Sequence, residues 1–156
     1  MSRVRLPARD IVRALNRIGR REAHRGAVHV IVVDDPHMHA LNRRFRRRDR
    51  PTDVLAFPLA DGMGAIDGGP WGEIYCNYDH ARRWRSEHGG TVAAELIRLA
   101  VHGYLHLLGY DHHTVGQRRR MIAAENRCLA AAGLVDLRGR RVSAQPSRRG
   151  GRAGRD

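Results

Sequence analysis

Apolar positions along the chain change their period several times, and each change predicts an element. Between Pro7 and about Glu22, Ile11, Val12, Leu15 and Ile18 recur at helical spacing among arginines, which predicts an amphipathic helix. "AVHVIVVDD" is β-branched and ends on acidic turn residues, so it predicts a strand. Asp35 and Pro36 predict a helix start, with Asp35 as N-cap and proline at the first helical position. Met38, Leu41 and Phe45 form the apolar stripe of that helix, and its far end is the basic run "RRFRRRDR", stopped by Pro51. "DVLAFPL" and "GEIYCNYD" predict two more short strands, separated by a glycine-rich stretch from Asp61 to Gly72 expected to be a mobile loop. Asp79 is the expected cap of a short helix ending at Gly89 and Gly90, and Thr91 of the next. Thr114 with Gln117 makes a capping box for a last helix ending near Gly133. Neighbouring strands with helices gathered toward the C-terminus predict an α+β layer structure with three recognisable strand segments and about five helices.

Composition bounds this picture. At 156 residues, the chain is expected to form one domain over residues 1–137, followed by an arginine-rich tail, 138–156, too poor in apolar residues to fold alone. Cys76 and Cys128 are too few and too far apart for a disulfide framework, and neither belongs to a C-x-x-C pattern, which fits a reducing, cytoplasmic setting. The opening "MSRVRLPARD" has charges where a signal peptide needs an apolar stretch, and no run approaches the roughly 18 apolar residues of a membrane span. All 29 basic residues are arginine, and the net charge is +13. The tail, with seven arginines against one aspartate, accounts for under half of that excess, so the folded part is basic as well. Such a charge attracts polyanions through counterion release.

The candidate chemistry lies in "AVHGYLHLLGYDHH", residues 100–113, where histidines interrupt an otherwise apolar helix. At 100° per residue, Glu95, Arg98, His102 and His106 fall within an arc of about 80°. They form one polar stripe on a buried helix. His102 and His106, four positions apart, can aim two ring nitrogens at one point, and Gly109 is a left-handed terminator that returns His112 toward the same face. A single histidine on an apolar helix is usually a satisfied core residue. Three at this spacing reverse that expectation, because unpartnered buried imidazoles cost about 1–3 kcal/mol each and one metal satisfies them together. Three imidazoles with a fourth position open describe a catalytic zinc site, although nickel, copper and iron also accept imidazole.

The H-x-x-x-H-x-x-G-x-x-H spacing occurs in metzincin proteases, but Gly103 stands where those enzymes carry their general-base glutamate. Ordinary zincin peptidase chemistry is therefore not expected. The glycine hints that a backbone or a substrate approaches closely there. His37, His39 and His113 show no comparable arrangement and are expected at the surface, and Cys76 is expected in a strand core. Asp111 has two readings, as an orienter of a ligand ring or as a residue that shapes the turn, and the second is the simpler.

"FRRRDRPTDVLAFPL" joins an arginine cluster to a proline turn and a strand. A hydrolytic metal beside such a cluster favours an anionic substrate, since guanidinium groups hold phosphate oxygens bidentately. These two segments, "HGYLHLLGYDH" with "RRRDRPTDVLAFP", resemble the YbeY family of bacterial metal-dependent endoribonucleases, from about Val28 to about Gly133. The resemblance implies an α+β fold, a small mixed sheet of about four strands under about five helices with a zincin-like histidine helix, and zinc held by His102, His106 and His112. The same likeness implies cleavage of single-stranded RNA in small-subunit ribosomal RNA maturation and ribosome quality control, with ribosomal proteins or the small subunit as partners. It also implies catalytic or RNA-binding roles for Arg46 and, beside it, RNA contact by Arg48. Phe45, Arg48 and Ala56 depart from the family's usual tyrosine, lysine and serine. The competing readings are a noncatalytic RNA-binding assembly factor with a structural metal, and a metallohydrolase of another substrate.

Overall fold

The computed structural model describes residues 5–24, 26–59, 69–131 and 133. In chain order the elements are α1 (Ala8–Arg21), β1 (Val28–Val33), α2 (Asp35–Arg46), β2 (Val54–Pro58), β3 (Gly72–Asn77), α3 (Tyr78–His88), α4 (Val92–Leu107) and α5 (Val115–Ala131). Most of the predicted glycine-rich loop, the proposed domain end at 137 and the 138–156 tail lie outside the described residues.

The sheet is mixed, in the order β1-β3-β2. β1 runs parallel to β3, with Val28 opposite Gly72 and Val33 opposite Asn77, whereas β2 is antiparallel to it, with Val54 opposite Cys76. The described residues thus contain three strands where about four were expected: each of the three strand segments recognised in the sequence makes one strand, and the other described segments are helices or connections.

α4 is the centre of the fold. Leu96, Leu99, Ala100, Val101 and Leu105 are buried on it, and it packs on β2, β3, α1, α3 and α5. Gly103 faces the sheet so closely that a Cβ there would lie 2.6 Å from Ile74 Cγ2 and 3.3 Å from Val54 Cγ2. The atoms an added Cβ would meet are sheet side chains rather than a backbone, while Gly103 also lines the cleft beside the histidines. Overpacking in Gly103→Ala is expected to cost about 1–3 kcal/mol, offset by up to about 1 kcal/mol of helix propensity, for a net destabilisation. Urea unfolding checks this, and an unchanged or raised midpoint would count against such tight seating on Ile74.

Several boundaries differ from expectation. On α1 the packing face is Ile11, Ala14, Leu15 and Ile18, while Val12 is 57% exposed. The N-cap of α2 is Asp34, whose Oδ1 accepts from the His37 amide at 3.0 Å, so the helix starts one residue earlier than predicted. Asp35 is instead drawn to Arg83, 2.5 Å away, and accepts from Asn77 Nδ2 at 2.7 Å. Met38 is buried on α2, but buried Asn42 joins it there and Phe45 is exposed. α3 is capped by Asn77, which accepts from the His80 amide, while Asp79 accepts from the Asp35 amide. Thr91 caps α4, and Thr114 with Gln117 closes the reciprocal box at the start of α5.

Candidate metal centre

Position on α4 decides where the first two histidines go, and the helix terminus decides where the third goes. The Gly109 amide donates to His106 O and the Tyr110 amide to Leu105 O, both at 3.0 Å, while Gly109 adopts φ +94°, a conformation that suits a residue without Cβ. The reversed chain is then tied down twice before α5 begins. Asp111 Oδ1 accepts from the His112 amide at 2.7 Å, and the Thr114–Gln117 box follows. His112 is thereby returned to the stripe.

One nitrogen from each of His102, His106 and His112 lies within 4.8 Å of the other two. The Nε2 atoms of His102 and His106 are 3.1 Å apart. Tetrahedral zinc with bonds near 2.0–2.1 Å places its nitrogen ligands roughly 3.3 Å apart, so this pair already has the spacing of two ligands on one ion. Burial, reinforced by His102 and His112 beside it, holds His106 below the ordinary imidazole value and so favours the neutral ring that a metal requires. His102 and His106 are half-buried and His112 is exposed.

Behind the stripe is a charged network only partly foreseen. Arg98 donates from Nε to Glu95 at 2.8 Å and from Nη1 to Glu125 Oε1 at 3.2 Å, and Glu125 Oε2 lies 3.3 Å from His102 Nδ1. His80 Nε2 stands 3.7 Å from Glu95. Both carboxylates are buried. Burial alone would push the Glu95 carboxyl up, but the Arg98 hydrogen bonds, with His80, outweigh it and hold it below the ordinary range. A carboxylate on Nδ1 fixes the ring with Nε2 facing the other histidines. Glu125 was missed in the sequence, although a clue existed: it shares the buried face of α5 with Met121, Ala124 and Leu129.

The histidines open onto a cleft of about 890 Å³ whose lining includes Arg46, Arg48, Arg50 and Arg118. Its arginine bank is shaped by Asn42, whose Nδ2 donates to Arg50 O at 2.7 Å while its main-chain carbonyl receives the Arg48 amide at 3.3 Å. Between them Arg47 turns the chain with φ +55°. Arg46 Nη2 reaches Ala56 O at 3.4 Å. The remaining sequence candidates separate cleanly. His37 and His113 are exposed and His39 partly so, each facing an aspartate. Asp111 serves the turn and faces His113 rather than a ligand ring. Cys76 is fully buried, and burial pushes its thiol up to about 12, which leaves it inert at neutral pH.

The family model described as Endoribonuclease YbeY matches residues 3–133, which carry the three histidines and the arginine bank. The chain belongs to the YbeY family. Among curated relatives named Endoribonuclease YbeY, the Rhodopseudomonas palustris protein is 42% identical over 109 residues, covering 69% of this chain and 57% of the relative. The Carboxydothermus hydrogenoformans protein is 39% identical over 113 residues, 72% of this chain and 77% of its own length. The solution structure of TM1509 from Thermotoga maritima superposes with a TM-score of 0.55 at 30% identity, covering 79% of this chain and 81% of that one. The α+β arrangement is therefore shared with a solved protein, and YbeY membership attaches to the segment that builds the cleft. The chain spans little more than half the length of the Rhodopseudomonas YbeY protein. No helix among the described residues is long and apolar enough to cross a membrane.

Proposed function

We propose that this YbeY-family chain is a single-strand-specific, zinc-dependent endoribonuclease acting in the cytoplasm on ribosomal RNA, in small-subunit maturation and ribosome quality control. One observation carries the reading: three imidazoles converge in a cleft lined by arginines. His102, His106 and His112 would hold the ion, with Glu125 fixing the His102 ring. A zinc ion in that position supplies a Lewis acid and acidifies water toward a pKa of about 7. Arg46 and Arg48 bind phosphate oxygens, and Arg46 offsets the negative charge that builds on them during attack at phosphorus. The place that a peptidase gives its glutamate is pressed against Ile74, which argues against peptide hydrolysis.

The test is incubation of purified protein with single-stranded and duplex RNA, with chelator and after zinc restoration, beside Arg46→Glu. Single strands are expected to be cut, chelation to stop the reaction and zinc to restart it, with Arg46→Glu weakening both binding and cleavage. Cleavage indifferent to chelation would overturn the reading. Binding gives a second check. If the four cleft arginines each neutralise one phosphate, the salt slope is about −3 and affinity falls at least roughly 50-fold between 50 and 200 mM salt. A flat response removes the phosphate-binding role of the cleft.

A further inference from the structure

The arginine bank continues past the cleft onto a surface that the metal site does not use. Phe45, in the last turn of α2, is 52% exposed, and it is the one aromatic among the exposed large apolar side chains described. An isolated exposed apolar residue is ordinary. This one is part of a group. Its ring lies 5.1 Å from that of half-buried Phe57, which lies 5.8 Å edge-on from Tyr75. Two guanidinium groups cover the same patch, Arg44 at 5.1 Å from the centre of Phe45 and Arg46 at 5.7 Å from the centre of Phe57.

Arg46 joins the two surfaces. It lines the cleft, it reaches the Ala56 carbonyl of β2, and it lies over Phe57. β2 is an outer strand of the sheet, and Arg46 is common to the cleft lining and to the aromatic patch on that strand. Cationic groups beside an accessible aromatic face are the components of a single-strand platform: arginines track phosphates while a base stacks on the ring. A base inside a duplex has both faces occupied by its neighbours and cannot use such a platform.

We propose that Phe45, supported by Phe57 and flanked by Arg44 and Arg46, is a stacking subsite for one unpaired nucleobase of the strand whose phosphates lie on the cleft arginines. The inference rests on the RNA-binding part of the proposed function and adds a specificity-determining residue to it. Selection of single strands over duplexes then arises at this rim, outside the metal centre.

A binding cycle on the full-length, zinc-loaded protein tests it. Fluorescence anisotropy, read at times short against cleavage, measures affinity for a short single-stranded RNA and for a series of the same RNA with one abasic position moved along it, a gel of each sample at the time of reading verifying that the RNA was still intact. Phe45→Ala is expected to weaken binding of the complete RNA roughly 10-fold, and Phe45→Trp to preserve it. At one position in the series, removal of the base should weaken the wild type by a similar factor and leave Phe45→Ala unaffected, so that the two losses do not add. Equal weakening by Phe45→Ala at every position, or additive losses throughout, would overturn the subsite in favour of a packing role. No effect at all would assign the patch to some other occupant, such as a protein. Failure of the nuclease reading appears separately, as wild-type protein that binds RNA without cutting it.

Discussion

His106→Ala is expected to reduce cleavage of single-stranded RNA by more than about 100-fold, since loss of an outer partner alone typically costs 10–100-fold and this change removes one of the three proposed ligands. Zinc content, measured by mass spectrometry after dialysis, should fall with it. RNA affinity should stay near that of the wild type, because Arg46, Arg48, Arg50 and Arg118, the phosphate contacts of the proposed function, line the cleft and the substitution leaves them in place. The split between preserved binding and lost cleavage separates an enzyme from a noncatalytic RNA-binding assembly factor, whose RNA affinity would be its only activity. Chelator-sensitive cleavage that survives in this variant would place the catalytic metal elsewhere.

Arg98→Leu should have the largest effect on stability. The guanidinium group serves two carboxylates at once, Glu95 and Glu125, each with a side chain 4% exposed. Its removal strands two buried negative charges, and breaking a buried pair in this way costs about 3–5 kcal/mol, a large share of the 5–15 kcal/mol that holds a typical domain. The pH dependence identifies the cause. In the wild type Glu95 faces Arg98 and His80, lies below its ordinary value of 4.5, and adds stability that is lost only as pH falls through that lowered value. Without Arg98, burial, the largest single influence on this carboxyl, is opposed by His80 alone, and the folded-state value is expected to rise above the ordinary one. The folded protein then keeps a proton that the unfolded chain releases, and stability declines as pH rises through the raised value. The difference between variant and wild type should therefore widen from about pH 5 to pH 7. Urea unfolding of both proteins at the two pH values measures it, and a constant or shrinking difference would show that Arg98 does not neutralise this pair.

What could be anticipated from the sequence was local. Period-two and helical runs located the described strands and helices, Thr91 and the Thr114–Gln117 box marked two helix starts, and the spacing of His102, His106 and His112 around Gly109 was enough to expect their convergence. Each of these signals spans only a few residues. The misreadings involve partners distant along the chain. Asp34 rather than Asp35 caps α2 because Asp35 is drawn to Asn77 and Arg83, more than 40 positions away. Asn77 likewise displaces Asp79 as the cap of α3 while its amide spans Asp35 and Thr52. Glu125 sits 23 positions from His102 and meets it only after α5 has packed on α4. Phe45 looked like one more member of an apolar stripe until the fold left its ring at the surface.

The three imidazoles are not equally anchored. Two ride one helical turn apart on the buried spine of the fold, whereas the third stands exposed on a short turn held by Gly109 and the Asp111 side chain. Surface turns open far more cheaply than core helices. An ion held by all three rings would therefore be expected to leave in order, its bond to His112 opening first and leaving a two-point helical perch. The lifetime of such a loaded state would be set by that turn, so changes at Gly109 or Asp111 should act on how quickly metal is surrendered to a scavenger while scarcely altering the path by which the protein folds.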